Sequence, residues 1–497
     1  MSVIDVSGLT FAYEGSPELI FDHVSFQFDT DWKLGFTGRN GRGKTTFLRL
    51  LQGKYPYSGT ITASVAFEYF PYEAADLSRT GLEAVGEIAP EAEDWQIQRE
   101  LGLLGLAEGV LEQPLSTLSN GERTKVLLAA MFLKENAFLL IDEPTNHLDL
   151  EGREKLAAYL SRKRGFLLVS HDRAFLDRCV DHILAINRTG IEVRRGDFSS
   201  WWEDRQRQDA FELARQEKLN RDISRLEESA RRTSAWSDRT EKSKFGLDKT
   251  GARTADRGFV GHRAAKLMQR SKAVQRRREA AVEEKRQLLR DLERQEALAV
   301  TPLPCRPGTR LAELRDVAVR YDGRTVCQGV TFEVLAGERI ALQGANGCGK
   351  SSLLKLLLGE DIPHSGTVET MSGLVISYVS QSTDRLRGSL TDFARERGLD
   401  GTRFRTILRK LDFPREQFER DLAEYSSGQK KKVLLAASLC DRAHLYVWDE
   451  PLNFIDVISR MQVEELLLEH RPTLLFVEHD ARFCDAVATR RIRIERA

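Results

Sequence analysis

Apolar positions along the chain follow different periods in different segments. Residues 4–9 and 24–28 alternate between apolar and polar side chains, which predicts antiparallel strands with one buried face. Short apolar runs at 34–37, 138–141 and 166–169 are nearly continuous, which predicts parallel strands covered on both faces. Each of these runs ends at a polar motif. We therefore expect the functional residues at the C-terminal ends of a parallel sheet.

Between residues 203 and 300 the apolar spacing changes to three, four and seven residues. Leu267, Val274 and Ala281 recur every seven residues, which predicts helices with narrow apolar stripes. The segment 237–261 contains four glycines and cannot continue both helices. We expect an antiparallel coiled-coil hairpin whose tip lies at about 237–261.

The polar motifs at the strand ends occur twice in the chain, at an offset of about 307 residues. A repeat on this scale indicates a duplicated module. We expect an α/β fold with two tandem P-loop domains, at 1–202 and 301–497, joined by the helical linker at 203–300. The repeated pairs are Gly38 and Gly344, Ser119 and Ser426, Asp142 and Asp449, and His171 and His479.

Each module has a glycine-rich loop that ends in Lys-Thr or Lys-Ser between a predicted strand and a predicted helix. The glycines let backbone amides approach phosphate groups, and the helix N-terminus and the lysine stabilise the phosphate charge. Two such loops predict two ATP sites. The expected ATP-binding residues are Gly38, Asn40, Gly41, Gly43, Lys44, Thr45 and Thr46 in the first module, and Gly344, Asn346, Gly347, Gly349, Lys350, Ser351 and Ser352 in the second.

Acidic pairs follow the apolar runs of each module. We expect the aspartate of each pair to hold Mg²⁺ with the loop hydroxyl, and the glutamate to polarise the attacking water. A lone histidine is usually structural, but its recurrence after the acidic strand favours a contact with the γ-phosphate or the water. The predicted metal ligands are Thr45, Asp142, Ser351 and Asp449, and the predicted catalytic residues are Glu143, Glu450, His171 and His479.

These motifs resemble those of ATP-binding cassette proteins, whose distinguishing signature loop is matched at 118–122 and 425–429. The resemblance implies that the signature of one module covers the nucleotide bound to the P-loop of the other. Lys44 would then share ATP with Ser426, and Lys350 with Ser119. The resemblance also implies that the residues Ser119, Gly121, Ser426 and Gly428 contact phosphate, and that Tyr13 and Tyr321 stack on adenine.

The two modules have different residues at one position that is characteristic of the family. The glutamine that contacts magnesium and the attacking water in the family is Gln381 in the second module, which adds it to the predicted metal ligands. Local alignment of the repeats places Tyr72 at the equivalent position. Because a phenol has no carbonyl oxygen for the metal, we expect the Lys44 site to hydrolyse ATP differently from the Lys350 site.

The whole chain has 75 basic and 75 acidic residues, but the linker has a local positive excess. Fifteen Lys or Arg residues lie between 229 and 278 against four acidic residues, and aromatic residues are interleaved with them. The charges of the inner linker are those of a helix face exposed to solvent. The basic and aromatic residues of the tip are instead suited to binding RNA. The expected RNA contacts are Trp236, Lys242, Lys244, Phe245, Lys249, Arg253, Arg257, Phe259, Arg263, Lys266 and Arg270.

The arrangement of two tandem cassettes and a helical linker resembles the ABC-F proteins. Similarity to the antibiotic-resistance branch of that family is found at residues 32–44, 235–237, 263–266 and 448–453. The resemblance implies a ribosome-binding ATPase that uses ATP and Mg²⁺. It would bind at the ribosomal exit site, with its linker tip contacting 23S rRNA and peptidyl-site tRNA. There it would displace lincosamides, pleuromutilins or streptogramin A from near the peptidyl transferase centre.

Other classes remain open. A housekeeping ABC-F translation factor would share every catalytic residue, and the ATPase subunit of a drug exporter would need a membrane partner. No window approaches the roughly 18 apolar residues of a membrane span, and the six cysteines show no metal or disulfide spacing. We expect a cytoplasmic, ribosome-associated monomer without an obligate protein subunit, whose two cassettes pair with each other.

Overall fold

The computed structural model describes most of both modules and part of the linker. The described residues are 2–15, 19–72, 76–146, 148–187, 190–212, 298–321 and 324–495, with isolated positions between 214 and 277. Both modules belong to one compact unit, and Ser200–Arg294 form most of a second unit. The predicted α/β fold with two tandem P-loop modules is confirmed.

The first module begins with a three-stranded antiparallel sheet in the order β2-β1-β4. Its strands are β1 (Val3–Phe11), β2 (Phe21–Asp29) and β4 (Ser58–Thr62). Ile4 pairs with Phe28 and Val6 with Phe26, so the alternating apolar side chains of both strands face the same side. The two predicted antiparallel strands are confirmed.

The second sheet of this module has six strands in the order β5-β6-β7-β3-β8-β9. It comprises β3 (Lys33–Thr37), β5 (Ala66–Phe70), β6 (Ala137–Asp142), β7 (Phe166–Val169), β8 (His182–Ile186) and β9 (Ile191–Arg195). All neighbours are parallel except β8 and β9. The helices of the module are α1 (Lys44–Leu51), α2 (Gly81–Ile88), α3 (Asp94–Leu103), α4 (Asn120–Phe132), α5 (Leu150–Leu160) and α6 (Arg173–Cys179).

The second module repeats this arrangement. A sheet in the order β11-β10-β13 contains β10 (Arg310–Tyr321), β11 (Arg324–Leu335) and β13 (His364–Thr370). A parallel sheet in the order β14-β15-β16-β12-β17 contains β12 (Arg339–Gln343), β14 (Ile376–Val379), β15 (Leu445–Asp449), β16 (Leu474–Val477) and β17 (Arg490–Arg493). The helices are α7 (Lys350–Leu357), α8 (Leu390–Glu396), α9 (Gly401–Lys410), α10 (Ser427–Cys440), α11 (Val457–His470) and α12 (Ala481–Val487).

Apolar packing fixes the motif-bearing strands in both modules. In the first module Phe28 of the antiparallel sheet packs on Phe138 of β6, with ring centroids 5.7 Å apart. In the second module Leu298 and Val300, which the sequence assigns to the end of the linker, are buried in the core formed by the helices and the central sheet.

No helix in the described part of the chain is long and apolar enough to cross a membrane.

A buried ion pair joins two helices of the second module. Lys432 Nζ lies 2.7 Å from Asp456 Oδ2, and both side chains are less than 5% exposed. Asp456 also caps α11 through the Ser459 amide, at 2.9 Å. Its counterpart Asp149 caps α5 through the Gly152 amide, at 2.9 Å, but is only partly buried.

We expect Asp456→Ala to lower the free energy of unfolding by about 3–5 kcal/mol, because it leaves the Lys432 ammonium buried without its counter-ion. The matched variant Asp149→Ala removes mainly a helix cap and should cost about 1 kcal/mol. Guanidinium unfolding followed by circular dichroism compares the two variants. Equal losses would show that the ion pair is not the main cause.

Candidate ATP-binding sites

The two P-loops have the same backbone conformation, which requires glycine at several positions. Gly43 and Gly349 cap α1 and α7 with φ of 92° and 90°. Gly344 has φ of 155°, and a Cβ there would lie 2.4 Å from the Ile494 carbonyl oxygen. Any larger residue would therefore strain the loop and displace the strand behind it.

The P-loop lysines lie against their own loops. Lys44 Nζ donates to the carbonyl of Gly38 at 2.6 Å, and Lys350 Nζ donates to that of Gly344 at 2.8 Å. Burial lowers the pKa of Lys44. The negative charges of Asp456 and Glu143 act to raise this pKa but do not outweigh burial. Each ammonium is thus held at the start of a helix, where phosphate groups also bind.

Each signature serine begins a helix through a reciprocal capping box. Ser119 accepts a hydrogen bond from the Glu122 amide at the start of α4, and Ser426 accepts one from the Gln429 amide at the start of α10. The first-turn amides that precede Glu122 and Gln429 have no backbone partner within the helix. The signature loops therefore present anion-binding helix N-termini.

Each signature loop lines a cleft together with the P-loop of the other module. The cleft at Lys44, about 520 Å³, is also lined by Thr45, Asp142, Glu143, His171, Ser426 and Gly428. The cleft at Lys350, about 890 Å³, is also lined by Ser351, Gln381, Glu450, His479, Ser119 and Gly121. Most other predicted P-loop residues line these clefts too, namely Asn40, Gly41, Asn346, Gly347, Gly349 and Ser352.

Two lysines that sequence reasoning missed also line the clefts. Lys432 lies in the Lys44 cleft, and Lys125 lies in the Lys350 cleft. They occupy equivalent positions, six residues after the signature serines. Their recurrence at the same offset as the motifs is the signal that could have identified them.

The predicted catalytic residues meet in pairs. His171 Nε2 lies 3.4 Å from Glu143 Oε1, and His479 Nε2 lies 3.5 Å from Glu450 Oε1. Both glutamates have positive φ, 50° and 49°. Such a conformation is costly for a residue with a Cβ, and its recurrence favours a functional constraint on the direction of the carboxylate.

The two glutamates differ in their electrostatic environment. Burial raises the pKa of Glu143 to about 8, and the neighbouring Asp142 charge adds to this effect. Burial also acts to raise the pKa of Glu450, but hydrogen bonds from His479 and Gln381 outweigh it and lower this pKa to about 2. The second module therefore favours an ionised glutamate more strongly than the first.

The polar groups beside the glutamates fit a magnesium ion. Thr45 Oγ1 donates to Asp142 Oδ2 at 3.1 Å. Neither oxygen of buried Asp449 makes a hydrogen bond of regular geometry within the described residues, and burial raises its pKa against the smaller opposing effect of the Ser351 hydroxyl. Buried carboxylates beside hydroxyl groups are the oxygen ligands that Mg²⁺ prefers, so Thr45, Asp142, Ser351 and Asp449 could hold it.

The strand register supports the alignment of Tyr72 with Gln381. Tyr69 pairs with Leu140 and Tyr378 with Val447, which puts Tyr72 and Gln381 three residues beyond equivalent positions. Gln381 is one of the groups that lower the pKa of Glu450. The Tyr72 hydroxyl instead donates to Glu87 at 3.3 Å, and Tyr72 does not line the Lys44 cleft.

A different tyrosine contacts the first acidic pair. The Tyr69 hydroxyl donates to Asp142 Oδ2 at 3.0 Å. Sequence reasoning missed this contact because the strand that carries Tyr69 is paired with β6 only in the folded sheet. The phenol that contacts this acidic pair thus belongs to Tyr69, and it contacts the aspartate rather than the glutamate.

The two predicted adenine-stacking tyrosines have matching contacts. The Tyr13 hydroxyl lies 2.8 Å from Thr46 Oγ1, and the Tyr321 hydroxyl lies 3.1 Å from Ser352 Oγ. Both side chains are 42% exposed. Each ring is therefore anchored to the P-loop helix with part of its surface accessible, as stacking on a base requires.

The structure does not test the predicted linker tip. Of the eleven predicted RNA contacts, only Lys266 is described, as an exposed helical residue. The other ten lie outside the described residues: Trp236, Lys242, Lys244, Phe245, Lys249, Arg253, Arg257, Phe259, Arg263 and Arg270.

Comparison with known sequences supports the duplicated site. The ABC transporter family matches residues 21–146 and 327–453. The chain is 30% identical over 495 residues to the ATP-binding protein Uup of Caulobacter vibrioides, covering 96% of this chain and 75% of that protein. It is 27% identical over 504 residues to the ribosome protection protein VmlR of Bacillus subtilis, covering 97% and 85%.

Solved structures show the same fold. The archaeal ribosome recycling factor aABCE1, in complex with the ribosomal stalk protein aP1, matches with a TM-score of 0.61 at 18% identity, covering 98% of this chain and 87% of that chain. A structure of RNase-L Inhibitor matches with a TM-score of 0.60 at 19% identity, covering 98% and 87%.

We expect Gln381→Ala to slow ATP hydrolysis at the Lys350 cleft about 10- to 100-fold, because it removes a group that orients Glu450. Single-turnover hydrolysis measures this in a Glu143→Gln background, which leaves the Lys350 cleft as the active one. Tyr72→Phe in a Glu450→Gln background is the matched control and should leave the rate unchanged.

Equal rates in the Glu143→Gln and Glu450→Gln proteins would contradict a functional difference between the clefts.

Proposed function

Because the chain belongs to the ABC transporter family, as an ATPase of the ABC-F type, we propose that ATP closes its two modules into a clamp that binds the ribosome. The observation that carries this proposal is the sharing of each cleft between a P-loop and the opposite signature loop. A triphosphate in such a cleft contacts both modules only when they are closed. Hydrolysis removes those contacts and favours release.

Within each cleft the side chains have separate proposed roles. Lys44 and Lys350 bind the phosphates, while Ser426 and Ser119 contact the γ-phosphate from the opposite module. Glu143 and Glu450 accept hydrogen bonds from the attacking water and orient it, and His171 and His479 hold the carboxylates and the γ-phosphate in place. When bound, Mg²⁺ supplies positive charge that stabilises the departing phosphate oxygens.

The sequence of the linker supports RNA as the partner. Its distal part, residues 229–278, combines fifteen basic residues with four acidic ones. Such a segment binds phosphate backbone through Lys and Arg, and unpaired bases through its aromatic rings. One relative is named a ribosome protection protein, and a structural neighbour is a ribosome recycling factor. We propose a cytoplasmic, ribosome-associated monomer.

We further propose that the protein binds at the ribosomal exit site, with the linker tip near the peptidyl transferase centre. There it would displace lincosamides, pleuromutilins or streptogramin A. A housekeeping role in translation is the second candidate. The 27% identity to VmlR, which is named a ribosome protection protein, favours protection, whereas the 30% identity to Uup, which is named an ATP-binding protein, fits either role.

We expect the double variant Glu143→Gln with Glu450→Gln to remain bound to ribosomes in ATP, because both clefts bind nucleotide without hydrolysing it. Sucrose-gradient sedimentation measures this. The control Lys44→Ala with Lys350→Ala loses the phosphate contacts and should sediment free. A double glutamine variant that also sediments free would contradict the clamp.

Replacing 245–259 by a short Gly-Ser segment should abolish antibiotic protection and retain ATPase activity, because the replacement removes Lys249, Arg253 and Arg257 from the tip. Growth in each of the three drug classes, with and without expression, measures protection. If the double glutamine variant is trapped on ribosomes but the unmodified protein gives no growth advantage with any drug, the housekeeping role is supported and protection is excluded. Protection retained after the replacement would contradict a tip-dependent mechanism.

A further inference from the structure

An ion pair crosses between the modules beside the Lys44 cleft. Arg39 Nη1 of the first P-loop lies 3.4 Å from Asp412 Oδ2, and the Arg39 side chain is 6% exposed. The equivalent positions in the other half of the duplication are Ala345 and Gly105. Gly105 and Asp412 both follow a helix with positive φ, 64° and 57°, so the two positions match in structure as well as in sequence. The Lys350 cleft cannot form this ion pair.

A second ion pair flanks the same cleft. Arg173, two residues after His171, binds Glu464 of α11 with its guanidinium group, and both side chains are largely buried. The duplicated positions are Ala481 and Ala157. Both charge pairs around the Lys44 cleft are thus replaced by uncharged residues around the Lys350 cleft.

Besides the 3.4 Å contact of Arg482 with Asp177 between α12 and α6, a contact of a different kind crosses beside the Lys350 cleft. Arg153 Nη1 donates to the carbonyl of His479 at 3.2 Å, while the same guanidinium pairs with Asp172 of its own module at 3.0 Å. Separation of the modules therefore leaves the Arg153 charge with its counter-ion. Separation at the Lys44 cleft instead breaks two ion pairs and leaves Arg39 and Arg173 without these carboxylates.

We propose that the Arg39–Asp412 and Arg173–Glu464 pairs latch the Lys44 cleft, so that it opens more slowly and the Lys350 cleft releases its nucleotide first. Losing one partner of a desolvated charge pair acts mainly on the rate of separation. The four residues are positioning residues, because their described ion pairs hold the modules together. The inference depends on the shared clefts and not on the ribosome.

The test converts the latched cleft into the sequence of the other one. Asp412→Gly with Glu464→Ala places at the Lys44 cleft the residue types found at Gly105 and Ala157. Stopped flow follows the release of a fluorescent non-hydrolysable ATP analogue in two backgrounds. In Lys350→Ala the signal comes from the Lys44 cleft, and in Lys44→Ala it comes from the Lys350 cleft. We expect release about tenfold faster from the Lys44 cleft and unchanged from the Lys350 cleft.

Charge reversal separates pairing from simple loss of structure. Glu464→Arg alone brings two guanidinium groups together and should accelerate release from the Lys44 cleft, and adding Arg173→Glu should restore slow release. Asp412→Asn keeps the positive-φ backbone while removing the charge, and should also accelerate release. Arg482→Ala, which breaks the 3.4 Å contact with Asp177 between α12 and α6, is the control for general weakening of the interface and should affect both clefts alike.

Two results would overturn the proposal. One is equal release from the two clefts before any latch residue is changed. The other is equal acceleration at both clefts by Asp412→Gly with Glu464→Ala. Because no ribosome is present in this assay, failure of the latch is distinguishable from failure of the proposed ribosomal function.

Discussion

Helix N-termini from different modules meet in each ATP cleft, and the rest of the arrangement follows from this constraint. In the Lys44 cleft, α1 begins at Lys44 and α10 begins at Ser427, and both starts line the same space. Each N-terminus carries partial positive charge, and Lys44 adds a full charge, whereas the charge of Lys432 is paired with Asp456. These groups repel one another, so a polyanion between them is the natural means of holding the modules together.

The duplication preserves the chemistry of the clefts and varies their surroundings. P-loop glycines, capping serines and His-Glu pairs recur with nearly the same geometry in both modules. The second-module glutamate has the additional support of Gln381, whereas the first-module aspartate is contacted by Tyr69. The ion pairs at Arg39 and Arg173 belong to one cleft only. The clefts thus differ in the groups that surround their acidic residues and in direct contacts between modules.

The sequence was sufficient to predict features that depend on local pattern and repetition. The antiparallel strands, the parallel strands that end at motifs, and the pairing of Lys44 with Ser426 follow from period, spacing and the family resemblance. Contacts between distant segments could not be predicted in this way. Arg39 and Asp412 are far apart in the chain, and the contact of Tyr69 with Asp142 depends on a strand pairing that no local pattern specifies. Leu298 and Val300 read as the end of a linker because their burial depends on helices more than a hundred residues later.

Hydrogen exchange of the signature loops tests the shared clefts most directly. In the Glu143→Gln, Glu450→Gln protein, ATP should protect the amides of both 119–122 and 426–429, since each helix N-terminus then binds a phosphate. Adding Lys350→Ala should remove protection at 119–122 and leave it at 426–429, because the Lys350 cleft contains the signature of the first module. Loss of protection at 426–429 alone would show that each module covers its own nucleotide, and would contradict the clamp.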